Sequence, residues 1–110
     1  EPYARGREMI DQGCAVALAT DLNPGSCCSG SIPLTFALAC IYMNLSVEEA
    51  ITAMTLNGAA AIGRADRIGS IEVGKQGDLV VLDADTPAIL PYYTGMNAVR
   101  NTIKRGKIIY

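Results

Sequence analysis

The apolar positions of this chain fall into two regions with different periodicities. Before Gly63 they follow helical spacings and include one continuous apolar run, whereas after it they form short β-branched runs separated by glycine. An amphipathic helix repeats its apolar residues every three or four positions, and a half-buried strand alternates them. The pattern therefore predicts helices and one buried strand before Gly63, and antiparallel strands after it.

Three helices are predicted in the first region. Residues 3–12 have a short helical pattern that ends at a glycine, a residue that commonly follows helix ends. A second helix begins near Pro33 and is apolar nearly all round, so we expect it to be packed on more than one side. The third covers residues 46–63. It opens with Ser46 and Glu49 at the spacing of a capping box, in which each side chain bonds to the other residue's backbone N–H.

A continuous apolar run, CAVALA at residues 14–19, leads to Asp21. Its length and glycine and proline flanks favour a strand buried on both faces of a parallel sheet, although periodicity alone does not distinguish it from a helix. The residues of 21–31 predict a loop. Active sites of α/β proteins lie where strands end, so Asp21 is a candidate metal ligand or general base. The alternative is that Asp21 only starts an Asx-turn or caps the loop.

The second region reads as strands. The runs SIEV at 70–73 and DLVVLD at 78–83 are followed by two more around the turn 105–107, which predict a hairpin. We expect about four strands and no helix to cover them. A single parallel strand also needs neighbours that the first region does not supply. Both regions therefore look like incomplete parts of larger domains, and we predict that the chain is the C-terminal part of a longer protein.

Composition narrows the possible functions. The chain has 110 residues, a formal charge of −2, four cysteines and no histidine. This charge offers no attraction for nucleic acid or an anionic membrane surface, and the apolar block 32–45 is shorter than the about 20 residues of a membrane span. The cysteines form no CxxC pair, which argues against a zinc finger. We expect no nucleic-acid or membrane partner, and reduced cysteines in the cytoplasm.

Three stretches together resemble a known enzyme family. VALATDLNPGS, SVEEAITAMTLNGAAAIG and RIGSIEVGKQGDLVVLDAD are similar to the C-terminal part of the imidazolonepropionases, metal-dependent amidohydrolases of histidine breakdown. The last two stretches are similar to those of many amidohydrolases, whereas ATDLNPGS points to the imidazolonepropionases in particular. The resemblance implies an α/β plus β fold. Residues 1–63 would be the last strand and helices of a TIM barrel, and residues 64–110 the C-terminal portion of a small β-sandwich domain.

The resemblance also implies roles for the loop residues. Asp21 matches the metal-binding aspartate of the family, which also takes a proton from the attacking water and passes it to the leaving nitrogen. Asn23, Gly25 and Ser26 match the loop that contacts the small-molecule substrate, 4-imidazolone-5-propanoate, whose ring amide is hydrolysed to N-formimino-L-glutamate. Ser26 is often threonine in the family, and the cysteine pair that follows departs from the family pattern.

The cofactor implied is one zinc or iron ion, which the family holds mainly through histidines. Because this chain has no histidine, we expect it to bind no metal alone, to be inactive alone, and to need the N-terminal barrel segment of a homodimeric parent. Two alternatives stay open. The parent could be another amidohydrolase, such as a cyclic amidase or a deaminase. Otherwise the chain is a stand-alone binding module that uses its apolar helix as an interaction surface.

Overall fold

The computed structural model describes residues 2–110, which form five short helices and one three-stranded sheet. The helices are α1 (Gly6–Asp11), α2 (Ile32–Ile41), α3 (Val47–Met54), α4 (Leu56–Ala61) and α5 (Ile89–Tyr92), and the strands are β1 (Leu79–Leu82), β2 (Val99–Lys104) and β3 (Lys107–Ile108). The change of pattern at Gly63 thus separates a helical region from the sheet. None of the helices within 2–110 has the length and apolar character needed to cross a bilayer.

The core lies between α2 and α3. It consists mainly of alanines with one phenylalanine and one leucine: Phe36, Ala39, Leu45, Ala50 and Ala53. The small side chains let the two helices approach closely. The helix predicted from Pro33 is confirmed, and α2 packs against both α3 and α5. Ile32 and Ile41 at its two ends nevertheless stay more than half exposed.

The third predicted helix is confirmed at its start and broken in its second half. Ser46 Oγ accepts the N–H of Glu49 at 3.1 Å, and Glu49 Oε2 accepts the N–H of Ser46 at 2.8 Å, which completes the capping box. At Thr55 the backbone leaves the helical region, with φ −105° and ψ −82°, and α4 begins at the next residue. The prediction of one continuous helix over 46–63 is therefore wrong, and Ile62 at its end is exposed.

α1 is shorter than the predicted helix over 3–12 and is tied to α3 by an ion pair. The Arg7 guanidinium donates to both carboxylate oxygens of Glu49, at 2.7 and 2.9 Å. These hydrogen bonds hold the pKa of Glu49 at about 2. The backbone of Gly6 also lies close to the Leu45 side chain, because a Cβ on Gly6 would be only 2.6 Å from Leu45 Cδ1. Glu49 therefore both caps α3 and holds α1 against it.

The sheet has the order β1-β2-β3 and both pairs are antiparallel. Arg105 and Gly106 connect β2 to β3 with φ values of 50° and 76°. Positive φ at both central residues is typical of the two-residue turns that fit the twist of a hairpin. Asp78 Oδ1 accepts the N–H of Arg105 at 2.9 Å, and the Gly77 carbonyl accepts that of Gly106 at 2.8 Å. The predicted hairpin is confirmed, and residues before β1 hold its turn.

Two predictions for the second region are wrong. Residues 70–73 pair with no strand of the part that the structure describes, and Ile71 and Val73 are almost fully exposed. They have no partner edge within this sheet, so the region has three strands and not four. The region also contains α5, a helix that the pattern does not predict. Leu90 of α5 packs against the helical core, which joins the two regions.

Candidate functional site

Residues 14–20 run beside α3 and α4 and belong to no sheet among residues 2–110. Val16, Leu18 and Thr20 are half-buried, and the alanines between them are exposed. This alternation is that of an extended chain with one face covered. The prediction of a strand over 14–19 is wrong for the described residues, because a parallel strand needs ladder partners and no other described segment lies alongside it as a strand.

Two hydrogen bonds attach this segment to the break between α3 and α4. The N–H of Leu18 donates to the Ala53 carbonyl at 3.1 Å, and Asn57 Nδ2 donates to the Val16 carbonyl at 2.8 Å. In an unbroken helix the Ala53 carbonyl would accept the N–H four residues later. The break at Thr55 turns this carbonyl toward the segment, which explains why a continuous helical pattern does not give a continuous helix.

Asp21 follows directly after the segment in a left-handed backbone conformation, with φ 52°. Aspartate is one of the few side chains that occur there often. Its carboxylate is exposed and makes no hydrogen bond or ion pair with the residues described, 2 to 110. The main-chain carbonyl of Asp21 accepts from Asn23 Nδ2 at 2.7 Å. The Asp21 side chain therefore does not form the turn that follows, and its oxygens face solvent.

Asn23 organises the loop. Its Oδ1 accepts the N–H of Gly25 at 2.9 Å, the N–H of Ser26 at 2.8 Å and the Ser26 hydroxyl at 3.3 Å. Its own N–H donates to the Cys27 carbonyl at 2.8 Å and closes an isolated bridge. The Asx-turn of this loop is thus centred on Asn23 and not on Asp21. The four candidate residues predicted from the sequence lie together in one exposed loop.

Cys27 is a loop residue whose role sequence reasoning missed. Its half-buried thiol donates to the Thr20 carbonyl at 3.2 Å and lies 3.6 Å from the Ser29 carbonyl. The thiol thereby joins the two ends of the loop, next to Asp21. All four cysteines are free thiols. Asn57 was also missed, since it is one of several polar residues of the helical pattern over 46–63 and no local signal distinguishes it.

The loop can supply one oxygen ligand to a metal ion. A solvent-facing carboxylate without a hydrogen-bond partner suits either metal coordination or proton transfer. Within residues 2–110, however, no three histidine, cysteine, aspartate or glutamate side chains are grouped so that they could hold an ion. The residues present therefore fit a metal site as one contributor, and a complete site needs ligands from outside this chain.

The sequence matches one family model and several named relatives. The model described as the amidohydrolase family covers residues 3–109. The chain is 81% identical over all 110 residues to the imidazolonepropionase of Phocaeicola vulgatus, and 79% identical over 108 residues to that of Bacteroides fragilis. These matches cover 100% and 98% of this chain but only 27% and 26% of the relatives. The chain thus spans about a quarter of the length of the curated relatives that it matches.

Two solved structures contain the same arrangement of elements. An amidohydrolase from Thermotoga maritima superimposes with a TM-score of 0.74 and 27% identity, over 96% of this chain and 25% of that protein. A 5-methylcytosine deaminase from Klebsiella pneumoniae gives a TM-score of 0.77 and 23% identity, over 97% of this chain and 27% of that protein. The second similarity concerns the fold alone. In both, the 110 residues correspond to about a quarter of a larger structure.

Proposed function

The chain belongs to the amidohydrolase family, and on this basis we propose that it is the C-terminal segment of a metal-dependent imidazolonepropionase. The 81% identity over the whole chain to a protein of that name carries the proposal. A second relative of the same name is 79% identical over 108 residues, which favours imidazolonepropionase over other members of the family. The proposed reaction is hydrolysis of the ring amide of 4-imidazolone-5-propanoate to N-formimino-L-glutamate, a step of histidine degradation.

We propose that residues 1–63 belong to a TIM barrel and residues 64–110 to a small β-sandwich. The backbone groups of Ala15, Ala17 and Ala19 have no hydrogen-bond partner within 2–110, which supports the first part, because they leave one side of the segment free to pair with a barrel strand. The sheet supports the second part, since β1 pairs on one side only and its Val80 and Val81 are exposed. Further strands from the rest of the protein would cover these surfaces.

Asp21 is the proposed metal ligand and proton acceptor. Its carboxylate is exposed at the end of the segment and has no partner within 2–110. Zinc or iron, held mainly by histidines outside this chain, would polarise the ring carbonyl and activate a water. Asp21 accepts a proton from the attacking water and passes it to the leaving ring nitrogen. The carboxylate thus serves as base first and as acid afterwards.

The loop residues shape the substrate side of the site. Asn23 uses its side-chain oxygen to hold the backbone of Gly25 and Ser26, so its task is to keep the loop closed. Gly25 adds no side chain, which lets a ring approach the backbone. The bond from the Ser26 hydroxyl to Asn23 is long, at 3.3 Å. This hydroxyl can therefore exchange its partner for a polar group of the substrate.

We propose that the chain is inactive by itself, because it has no histidine to complete a metal site. The missing ligands would come from the N-terminal barrel segment. The free thiols support a reducing compartment, the cytoplasm. The resemblance implies a homodimer, which we retain as a proposal that sedimentation of the full-length protein would test.

The first test is to sequence the reading frame upstream of Glu1. A barrel of this class needs about 250 residues, so we expect a long upstream region with an HxH pair and isolated histidines. A start codon directly before Glu1 would overturn the proposal and leave Asp21 as a turn residue in a binding module.

The second test is an assay of the full-length protein. We expect the wild-type protein to consume 4-imidazolone-5-propanoate, measured as the loss of absorbance of this substrate. We expect Asp21→Asn to lower kcat at least about 100-fold. Asn keeps the left-handed backbone, so the change isolates the carboxylate. Asp83→Asn is the matched control, since Asp83 also follows an apolar run and is exposed. Equal activity of the two variants would contradict the role of Asp21.

A further inference from the structure

We propose that Asn57 is a positioning residue for Asp21, an inference that rests on the function proposed above. Asn57 Nδ2 donates to the Val16 carbonyl at 2.8 Å, across 41 residues of sequence. Val16 belongs to the segment that ends directly before Asp21. The amide of Asn57 therefore acts on the candidate metal ligand through the backbone that carries it.

The bond from Asn57 does not act alone. The Leu18 N–H donates to the Ala53 carbonyl at 3.1 Å, and Val16 and Leu18 are alternate residues of the segment. Alternate residues of an extended chain present their backbone groups to the same side. Two attachment points on one side fix both the position and the direction of the segment, whereas the bond to Leu18 alone would leave it free to pivot.

The surroundings of Asn57 favour a positioning role over simple packing. A groove of about 270 Å³ lies beside the segment, lined in part by Cys14, Glu48 and Thr52. Because of this groove, no close-packed side chain among residues 2–110 prevents a shift of the segment on this side. A directional hydrogen bond to a main-chain carbonyl sets the orientation that apolar contact alone would leave loose. Loss of the Asn57 amide would release Val16 toward the groove and displace Asp21.

Asn101 provides a matched control. Its Nδ2 donates to the Tyr110 carbonyl at 3.1 Å, so Asn101→Ala removes the same kind of bond from the sheet. In the full-length protein we expect Asn57→Ala to lower kcat about tenfold, the scale seen when groups that orient metal ligands are removed, with KM unchanged. We expect Asn101→Ala to leave kcat unchanged. Hydrogen exchange followed by mass spectrometry should quicken over residues 14–20 in Asn57→Ala alone.

The proposal is overturned if both variants show the same kcat and the same exchange over residues 14–20. It is also overturned if KM rises in proportion as kcat falls, or if exchange quickens throughout the protein. Should Asn57→Ala fail to fold, Asn57→Asp takes its place, since it keeps the shape and loses the donor. If the wild-type protein does not hydrolyse the imidazolone, the proposed function fails. The exchange comparison then decides by itself whether Asn57 holds the segment.

Discussion

Residues 14–19 and β2 are both predicted as strands from the sequence, yet only β2 is part of a sheet. β2 has β1 on one side and β3 on the other, and β3 follows after a two-residue turn. Within residues 2–110, the backbone of residues 15–19 hydrogen-bonds only to Ala53 and Asn57, at the break between α3 and α4. An apolar run thus indicates that a segment is to be buried, but its hydrogen bonds depend on which partners the same chain supplies.

Truncation of a core side chain in the helical region should give the largest loss of stability. Phe36 is 3% exposed and is the largest side chain of the core cluster. We expect Phe36→Ala to lower the free energy of unfolding by about 3–5 kcal/mol, measured by urea denaturation with circular dichroism. Tyr92→Ala, which truncates an aromatic ring that is 78% exposed, should change it by less than about 0.5 kcal/mol. Similar losses in the two variants would mean that this core does not stabilise the helical region.

The second-largest effect is expected from a substitution in the hairpin turn, and it should be confined to the second region. Gly106 has φ 76°, and an added Cβ would meet no atom within 4 Å, so an alanine there tests backbone conformation alone. We expect Gly106→Ala to destabilise the chain by about 1–2 kcal/mol and to quicken hydrogen exchange in β2 and β3. Gly95 is the control, because it is equally open and its φ is not in the left-handed range. Faster exchange over residues 14–20 would show that the two regions are coupled through α5.

The smallest effect concerns the ion pair between α1 and α3. Hydrogen bonds from Arg7 hold the pKa of Glu49 at about 2, below the value of about 4.3 in an unfolded chain. Because the folded pKa is the lower one, the stabilisation is complete above the unfolded pKa and is lost as pH falls through the folded pKa. The effect is small since the pair is partly exposed.

We therefore expect the melting temperature of the wild-type chain to fall between about pH 5 and pH 2 more steeply than that of Glu49→Gln. The two curves should converge at the acid end. Glu8→Gln is the control, because Glu8 pairs with Arg5 at a mostly exposed site. Parallel curves for wild type and Glu49→Gln would contradict the prediction.

Local signals predicted local structure well. The Ser46 and Glu49 spacing predicted a capping box, and Gly106 predicted a hairpin turn, because in both cases the interacting groups lie within a few residues. The loop after Asp21 was predicted for the same reason, and its turn chemistry is supplied by Asn23. These features need no information from distant parts of the chain.

Three of the failures involve partners distant in sequence. Thr55 breaks a helical pattern that looks continuous, because the Ala53 carbonyl bonds to Leu18, a residue 35 positions earlier. The contact of Asn57 with Val16 spans a similar distance. The strand predicted at 70–73 has no partner edge in the described sheet. The pattern of residue types does not specify which distant segments pair with each other, so these features could not be predicted from the sequence.

The left-handed backbone at Asp21 restricts which amino acids this position can accept. Glycine, asparagine and aspartate adopt that conformation at low cost, whereas β-branched residues strain it. Of these three, aspartate alone carries a carboxylate. In a saturation library at position 21, selection for a well-formed loop would enrich three residues out of twenty. Selection for an acid on the same backbone would leave aspartate alone.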